Sequence, residues 1–300
     1  MATAGGCMQL ALDSGVRGLA GLRRGLSGGG EPAGSGGPLP GAQAHQDCRV
    51  LGQGEDALLR LGRVYQSLWR TVEWRLMREA CHDLPRPVAD LGCGDGAFGA
   101  LLRDKIDHGF DGDAEILPHC DLSVYEAVAA VDLRETLPLP DGSLASVFSN
   151  STFEHIVPVE RALASVARAL KPGGTFVISV PTVGLVHAFE SRYTRAFANR
   201  LNTILGHHNL WSWAEWETRL RDVGFVGVNM RGYLTVDAAR WFASRQLAPW
   251  EPLERRFPEY AWKRSVRDIR RHVRDSLTIT DEKATTCVLV EAVRGGEAVV

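Results

Sequence analysis

The chain has little that would commit it to a polymer, a membrane or an oxidising compartment. Lys and Arg number 34 against 36 Asp and Glu, a formal net charge of −2 over 300 residues. No global excess of either sign points to nucleic acid or an anionic membrane. The six cysteines, at positions 7, 48, 81, 93, 120 and 287, contain no C-x-x-C pair and no histidine partner at zinc-ligand spacing. They read as reduced, structural thiols of a cytosol-like compartment, and no metal site is expected. No apolar run approaches the length needed to span a bilayer. The expectation is a cytoplasmic protein without a nucleic-acid partner or a membrane span, its oligomeric state open.

What is present begins poorly. Residues 1–54 are rich in Gly, Ala and Ser, with Pro32, Pro38 and Pro40 and no sustained apolar period. Such a segment buries too little surface to offset the entropy of ordering it, which predicts a disordered tail. Arg17, Arg23 and Arg24 with few acids leave an organelle transit peptide as the alternative. From Glu55 to Cys81 the pattern turns helical, with Leu58, Leu61, Tyr65, Leu68, Val72 and Leu76 three and four apart, until Pro85 and Pro87 stop it.

The stretch that organises the rest is Pro87-Val-Ala-Asp-Leu-Gly-Cys-Gly-Asp-Gly-Ala-Phe-Gly99. A short apolar run ends at Gly92, glycines recur at 94, 96 and 99, and helical spacing follows at Phe98, Leu101 and Leu102. Strand, glycine turn and helix make a nucleotide-type cofactor site, with the amides of the first helical turn as donors. Gly94 to Gly99 also fits the dinucleotide pattern G-x-G-x-x-G, but the strand ends two residues before the first glycine of that triplet. A second strand over Ile106–Asp111 places an acid about 20 residues beyond the turn, where a ribose acceptor belongs. Asp111 is preferred over Asp113, one of these acids capping a helix near Ala114 being the alternative. Tyr125 to Asp132 reads as a buried parallel strand, and Leu144–Ser149 as the next, leading into Asn150 and Ser151.

Asp-Leu-Gly-Cys-Gly-Asp-Gly resembles motif I of the class I S-adenosylmethionine-dependent methyltransferases. Three further segments follow in that family's order. They are Val131-Asp-x-x-x-x-Leu-Pro-x-Pro-Asp-Gly-Ser143, Phe148-Ser-Asn-Ser-x-x-Glu-His-Ile156, and Leu170-Lys-Pro-Gly-Gly174 before the strand Thr175–Val180. The resemblance is to the small-molecule, type 11-like branch and covers residues 86–182. It implies an α/β, doubly wound, seven-stranded Rossmann-like sheet with strand 7 antiparallel, over residues 55–300. Helical lid insertions are expected at about 182–213 and 234–282.

The resemblance also implies S-adenosyl-L-methionine as cofactor. Gly92, Cys93, Gly94 and Gly96 would line its methionine portion, with Asp90 supporting the turn. Asp111 would take the ribose and Asp132 the adenine, and Asn150 and Ser151 would close the site. The implied reaction is methyl transfer to a small-molecule acceptor. Histidine suits a general base at neutral pH, and His155, His207 and His208 are the candidates, each equally able to be structural. A non-catalytic S-adenosylmethionine-binding protein and an NAD-dependent oxidoreductase are the rivals, although the latter's Tyr-x-x-x-Lys pair is missing. On the last long helix, the cations Lys263, Arg264, Arg267, Arg270, Arg271 and Arg274 read as a solvated face, with an anion site for the acceptor as the alternative.

Overall fold

Alternating side chains sort the strands of the computed structural model onto two opposed cores. It describes residues 49–51, 57–60, 63–246, 254, 256–277, 279 and 281–296. A short antiparallel pair, β1 (Arg49–Leu51) and β2 (Leu58–Arg60), leads into α1 (Val64–Cys81). Then come β3 (Val88–Leu91), α2 (Ala97–Leu102), β4 (Ile106–Asp111), β5 (Tyr125–Ala130), β6 (Leu144–Asn150), α3 (Val159–Ala169) and β7 (Leu170–Pro181). The chain continues through α4 (Val183–Arg192), α5 (Arg195–Leu205), α6 (Trp213–Asp222), β8 (Phe225–Thr235), α7 (Val236–Gln246), α8 (Pro258–Asp275) and β9 (Thr285–Arg294).

Seven strands form one sheet in the order β5-β4-β3-β6-β7-β9-β8. Only β9 runs against its neighbours in it, pairing antiparallel with both β7 and β8. Phe176 and Ile178 face a core closed by Leu163 and Val166 of α3 and Trp216 and Leu220 of α6. Val177, between them, faces the other core, with Leu68 and Val72 of α1, Leu185 of α4 and Phe242 of α7. This period of two, with helices on both faces, is the expected doubly wound architecture. The strand order reverses beside β3, so the carboxyl ends of β3, β4 and β6 open together.

Four expectations are corrected. The helix predicted from Glu55 starts at Val64. Residues 58–60 pair instead with 49–51, and the Leu59 amide donates to Thr71 Oγ1 at 3.0 Å. Strand β1 thus falls inside the segment predicted as tail, whose residues 1–48 lie outside the described residues. The helix expected near Ala114 is a 3-10 turn, Leu117–His119, because Asp113 closes a local turn by accepting from the Glu115 amide. Strand β5 is parallel as expected but not buried: it is an edge strand, with Glu126, Ala127, Ala129 and Ala130 exposed. Its alanines carry too little surface to require a covering helix, and Glu126 pairs with Arg86. Among the described residues, no helix is long and apolar enough to cross a membrane.

Candidate active site

The glycine turn is built around a buried acid and a buried tyrosine. Asp90, on β3 and 4% exposed, accepts from Tyr125 Oη at 2.7 Å. Burial is the main reason its carboxyl is raised to about 7; the Tyr125 hydrogen bond opposes this and the nearby Asp111 adds to it. Tyr125 reaches beneath the turn because glycines surround it. A Cβ on Gly99 would lie 2.0 Å from Tyr125 Oη, and Cβ atoms on Gly96 and Gly109 would lie 2.8 Å from its ring. Gly99 therefore serves close packing, while Gly92, Gly94 and Gly96 all hold positive φ, between 58° and 76°.

The turn spends its amides internally. Gly92 and Cys93 donate to the Phe110 carbonyl and Gly96 to that of Cys93. Gly94 donates to Asp111 Oδ2 at 2.8 Å, and Ala97 to Asp95 Oδ1 at 3.2 Å. The expected row of free donors at the start of α2 is thus largely used, in a helix of only six residues. A Cβ on Gly94 would meet nothing within 4 Å, whereas one on Gly92 would lie 2.1 Å from Thr152 Oγ1. One face of the loop is open and the other is packed. Asp111, fully buried at the end of β4, also takes the Asp113 amide at 2.9 Å, and burial raises its pKa. Asp132 follows β5, half-exposed and paired with Arg134 at 2.5 Å, which holds its pKa down. The Cys93 thiol is pushed up, chiefly by hydrogen bonding with Cys120 and then by burial, so it is an inert wall.

At the end of β6, Asn150 and Ser151 meet a residue that sequence reasoning missed. Glu73, in the middle of α1 and fully buried, accepts from Ser151 Oγ at 2.6 Å, Trp69 Nε1 at 2.8 Å and Tyr233 Oη at 3.1 Å. Its other oxygen takes Arg70 at 2.6 Å and Asn150 Nδ2 at 3.2 Å. Ser179 donates to Asn150 Oδ1 at 2.6 Å, which fixes that amide's orientation. Ser151 is one of two non-glycine residues described with positive φ, at 49°. The signal was an acid on the apolar stripe of α1, between Trp69 and Met77 at helical spacing.

Two of the three candidate histidines come together although 52 positions separate them. His155 ends the 3-10 turn Phe153–His155 that follows β6. Its Nδ1 lies 2.9 Å from the Gly206 carbonyl, and its ring centroid 5.4 Å from that of His207. Burial lowers His155 to about 4 and His207 well below its usual value, so both rings are neutral. Glu154, 1% exposed, is raised by burial to about 8, and its carbonyl accepts from the amides of His208 and Asn209. His208 itself is exposed.

Residues 89–178 match the family described as a methyltransferase domain. This is a class I S-adenosylmethionine-dependent methyltransferase domain. A probable S-adenosylmethionine-dependent methyltransferase of Mycolicibacterium smegmatis is 32% identical over 102 residues, which cover 32% of this chain and 38% of the relative. A trans-aconitate 2-methyltransferase of Sinorhizobium medicae is 34% identical over 131 residues, 38% of this chain and 49% of the relative. The matches span less than half the length of these relatives. In the solved structure of a possible histamine N-methyltransferase from Thermotoga maritima, the same fold covers 77% of this chain and 90% of the other. The TM-score is 0.51 and the identity 17%.

In the methyltransferase domain, the residues expected at the cofactor lie at the carboxyl ends of four parallel strands. Asp90, Gly92, Cys93, Gly94 and Gly96 end β3, Asp111 ends β4, Asp132 follows β5, and Asn150 and Ser151 end β6. Tyr125, Glu73 and Tyr233 join these residues from outside the motifs, the last two from outside the matched segment. Tyr125 has no local signal, because the glycines that admit it lie in two earlier segments, Gly96 and Gly99 in the glycine stretch and Gly109 on β4.

Proposed function

We propose that this protein transfers the methyl group of S-adenosyl-L-methionine to a small-molecule acceptor through an oxygen, nitrogen or carbon nucleophile. The observation that carries the cofactor reading is the use of the loop amides. A pyrophosphate at a glycine turn is held by main-chain N–H donors, and here five of these are spent within the protein. The open face at Gly94, bordered by the buried acid Asp111, suits a phosphate-free nucleoside cofactor better than NAD.

When bound, S-adenosylmethionine supplies an already activated methyl electrophile, so the chain's task is positioning and exclusion of water. The backbone of Gly92, Cys93, Gly94 and Gly96 shapes the methionine side of the site. Asp111, locked by the Gly94 and Asp113 amides, is buried and takes the ribose hydroxyls only once the loop around it opens, while the half-exposed Asp132 accepts from the adenine amine. Asn150 and Ser151, held by Glu73, wall the end where the methyl group meets the acceptor. Helices α4, α5 and α7, which share a core with Leu68, Trp69 and Val72 of α1, would supply the lid over that end. Of the three histidines considered as general base, His208 has the exposed imidazole, whereas His155 and His207 turn inward. The small-molecule assignment is supported by near-zero net charge and by a relative named for trans-aconitate.

Calorimetric titration with S-adenosylmethionine and NAD tests the cofactor. Binding of the first and not the second is expected, and the reverse overturns the reading. Label transfer from methyl-labelled cofactor in a fractionated cell extract tests the acceptor. Label should appear in the low-mass fraction, resistant to nuclease and protease. Label in RNA or protein overturns the small-molecule assignment, and cofactor binding without transfer to any fraction leaves a non-catalytic binding protein.

A further inference from the structure

Glu154, His155 and His207 each bring a ligand atom to one place, all within 4.8 Å of one another. Glu154 Oε2, His155 Nε2 and His207 Nδ1 are each buried, with no hydrogen-bond partner among the described residues. The His155 side chain is 3% exposed and that of Glu154 1%. Three orphaned polar atoms in a single buried cluster are costly unless something satisfies them. They do not satisfy each other, since His155 Nε2 lies 3.7 Å from Glu154 Oε1, beyond hydrogen-bond reach.

The tautomer decides what that something is. A carbonyl oxygen can only accept, so at 2.9 Å from Gly206 O the His155 Nδ1 carries the proton. The neutral ring then turns the bare lone pair of Nε2 inward, toward the oxygens of Glu154. A lone pair facing a buried carboxyl group calls for a cation between them, either the proton that burial leaves on Glu154 near neutral pH or a metal ion that displaces it. A ring whose outer N–H is held by a backbone carbonyl is also the usual setting of a metal-ligating histidine. We propose that Glu154, His155 and His207 bind one divalent first-row transition-metal ion, of the borderline kind that takes imidazole and carboxylate together.

Two nitrogens and one oxygen, without a thiolate, suit Zn2+, Co2+ or Mn2+ and disfavour Mg2+ and Ca2+, which prefer all-oxygen shells. Metal–ligand bonds of about 2.0–2.2 Å place neighbouring ligand atoms roughly 3–3.5 Å apart. Rotamer adjustments of these three side chains close the difference from 4.8 Å. Three protein ligands leave a position for a water or another oxygen ligand. The ion joins the turn after β6 to the connection between α5 and α6. Main-chain bonds from His208 and Asn209 to the Glu154 carbonyl already tie these two segments.

The test uses the full chain, stripped with a chelator and titrated with Co2+, whose visible absorption reports imidazole ligation. One Co2+ per chain, displaced by Zn2+, is expected. Glu154→Gln and His207→Gln should each weaken Co2+ binding at least about tenfold, with retained S-adenosylmethionine binding as the check on folding. His187→Ala, at an exposed imidazole, should leave Co2+ binding unchanged. Substoichiometric binding, or binding that survives both cluster variants, overturns the site. Should either variant fail to fold, imidazole 15N spectra of the wild-type chain decide. Zn2+ should shift two of the nine histidines, one at Nε2 with its Nδ1 proton retained and one at Nδ1. Any other pattern rejects the proposal.

Discussion

At the scale of single residues, neighbouring glycines of one turn do different work. At Gly92 a methyl group would meet Thr152 Oγ1 at 2.1 Å, and at Gly94 it would meet nothing within 4 Å, while φ is positive at both, +75° and +58°. Left-handed backbone costs an alanine roughly 1–2 kcal/mol, and overpacking adds roughly 1–3 kcal/mol. Gly92→Ala should therefore lose about 2–5 kcal/mol in urea unfolding. Gly94→Ala should lose only the backbone part, about 1–2 kcal/mol, yet weaken S-adenosylmethionine binding at least about tenfold by calorimetry, because its methyl points into the proposed cofactor space. Equal cofactor affinity in Gly94→Ala would move the site elsewhere. Glu73 is the second sensitive position. It accepts from five side chains on α1, β6 and β8, and Glu73→Ala leaves buried donors and the Arg70 charge without it. A loss of about 3–5 kcal/mol is expected in the same assay, and less for Glu73→Gln, which keeps a carbonyl acceptor in place.

At the scale of elements, legibility in the sequence followed how local each cause was. The bounds of β3 and β4 were readable because flanking prolines and glycines stop those strands. The turn at Gly92 was readable because its backbone conformation demands glycine. The edge position of β5 was not, since its apolar run is alanine-rich and a two-sided burial pattern cannot be told from a small-residue edge by sequence. Glu73 was visible in principle as an acid on an apolar stripe, but its five donors come from segments up to 160 positions away. The pairing of His155 with His207 arises only when α5 folds back over the turn after β6. Helix α8 shows the opposite case, with Trp262, Ile269 and Val273 buried and Lys263, Arg264, Arg267, Arg270, Arg271 and Arg274 all exposed. Exposed charges away from special features contribute within about 0.5 kcal/mol. The double variant Arg270→Ala, Arg271→Ala should thus unfold within that margin of wild type and leave the salt dependence of acceptor affinity unchanged. A salt dependence that disappears would make this face the acceptor's anion site.

At the scale of the whole molecule, Asp90 couples the sheet to solvent pH. It sits on β3 between β4 and β6, against Gly99 of α2 and bonded to Tyr125 of β5, so ionising it disturbs five elements at once. Its carboxyl is raised from 3.8 to about 7 because burial disfavours the charge, an effect that the Tyr125 hydrogen bond partly offsets. The native state therefore keeps a proton that the unfolded chain releases above about pH 4. A raised pKa of this kind contributes stability that is fully present below the unfolded value and lost as pH rises through the folded one. From Asp90 alone, unfolding free energy should fall by up to about 4 kcal/mol between pH 4 and 7 and level off above pH 8. Other buried groups titrate in the same range, so the informative quantity is the difference between wild type and Asp90→Asn in urea unfolding across pH 4–8. The variant keeps an oxygen acceptor for Tyr125 and has no proton to lose, so its stability relative to wild type should rise steadily through this window. In Tyr125→Phe, where the hydrogen bond that lowers the pKa is gone, the wild-type fall should extend to higher pH. A difference that is flat with pH would mean that Asp90 is already ionised at pH 4 and that the buried carboxyl is charged in the native sheet.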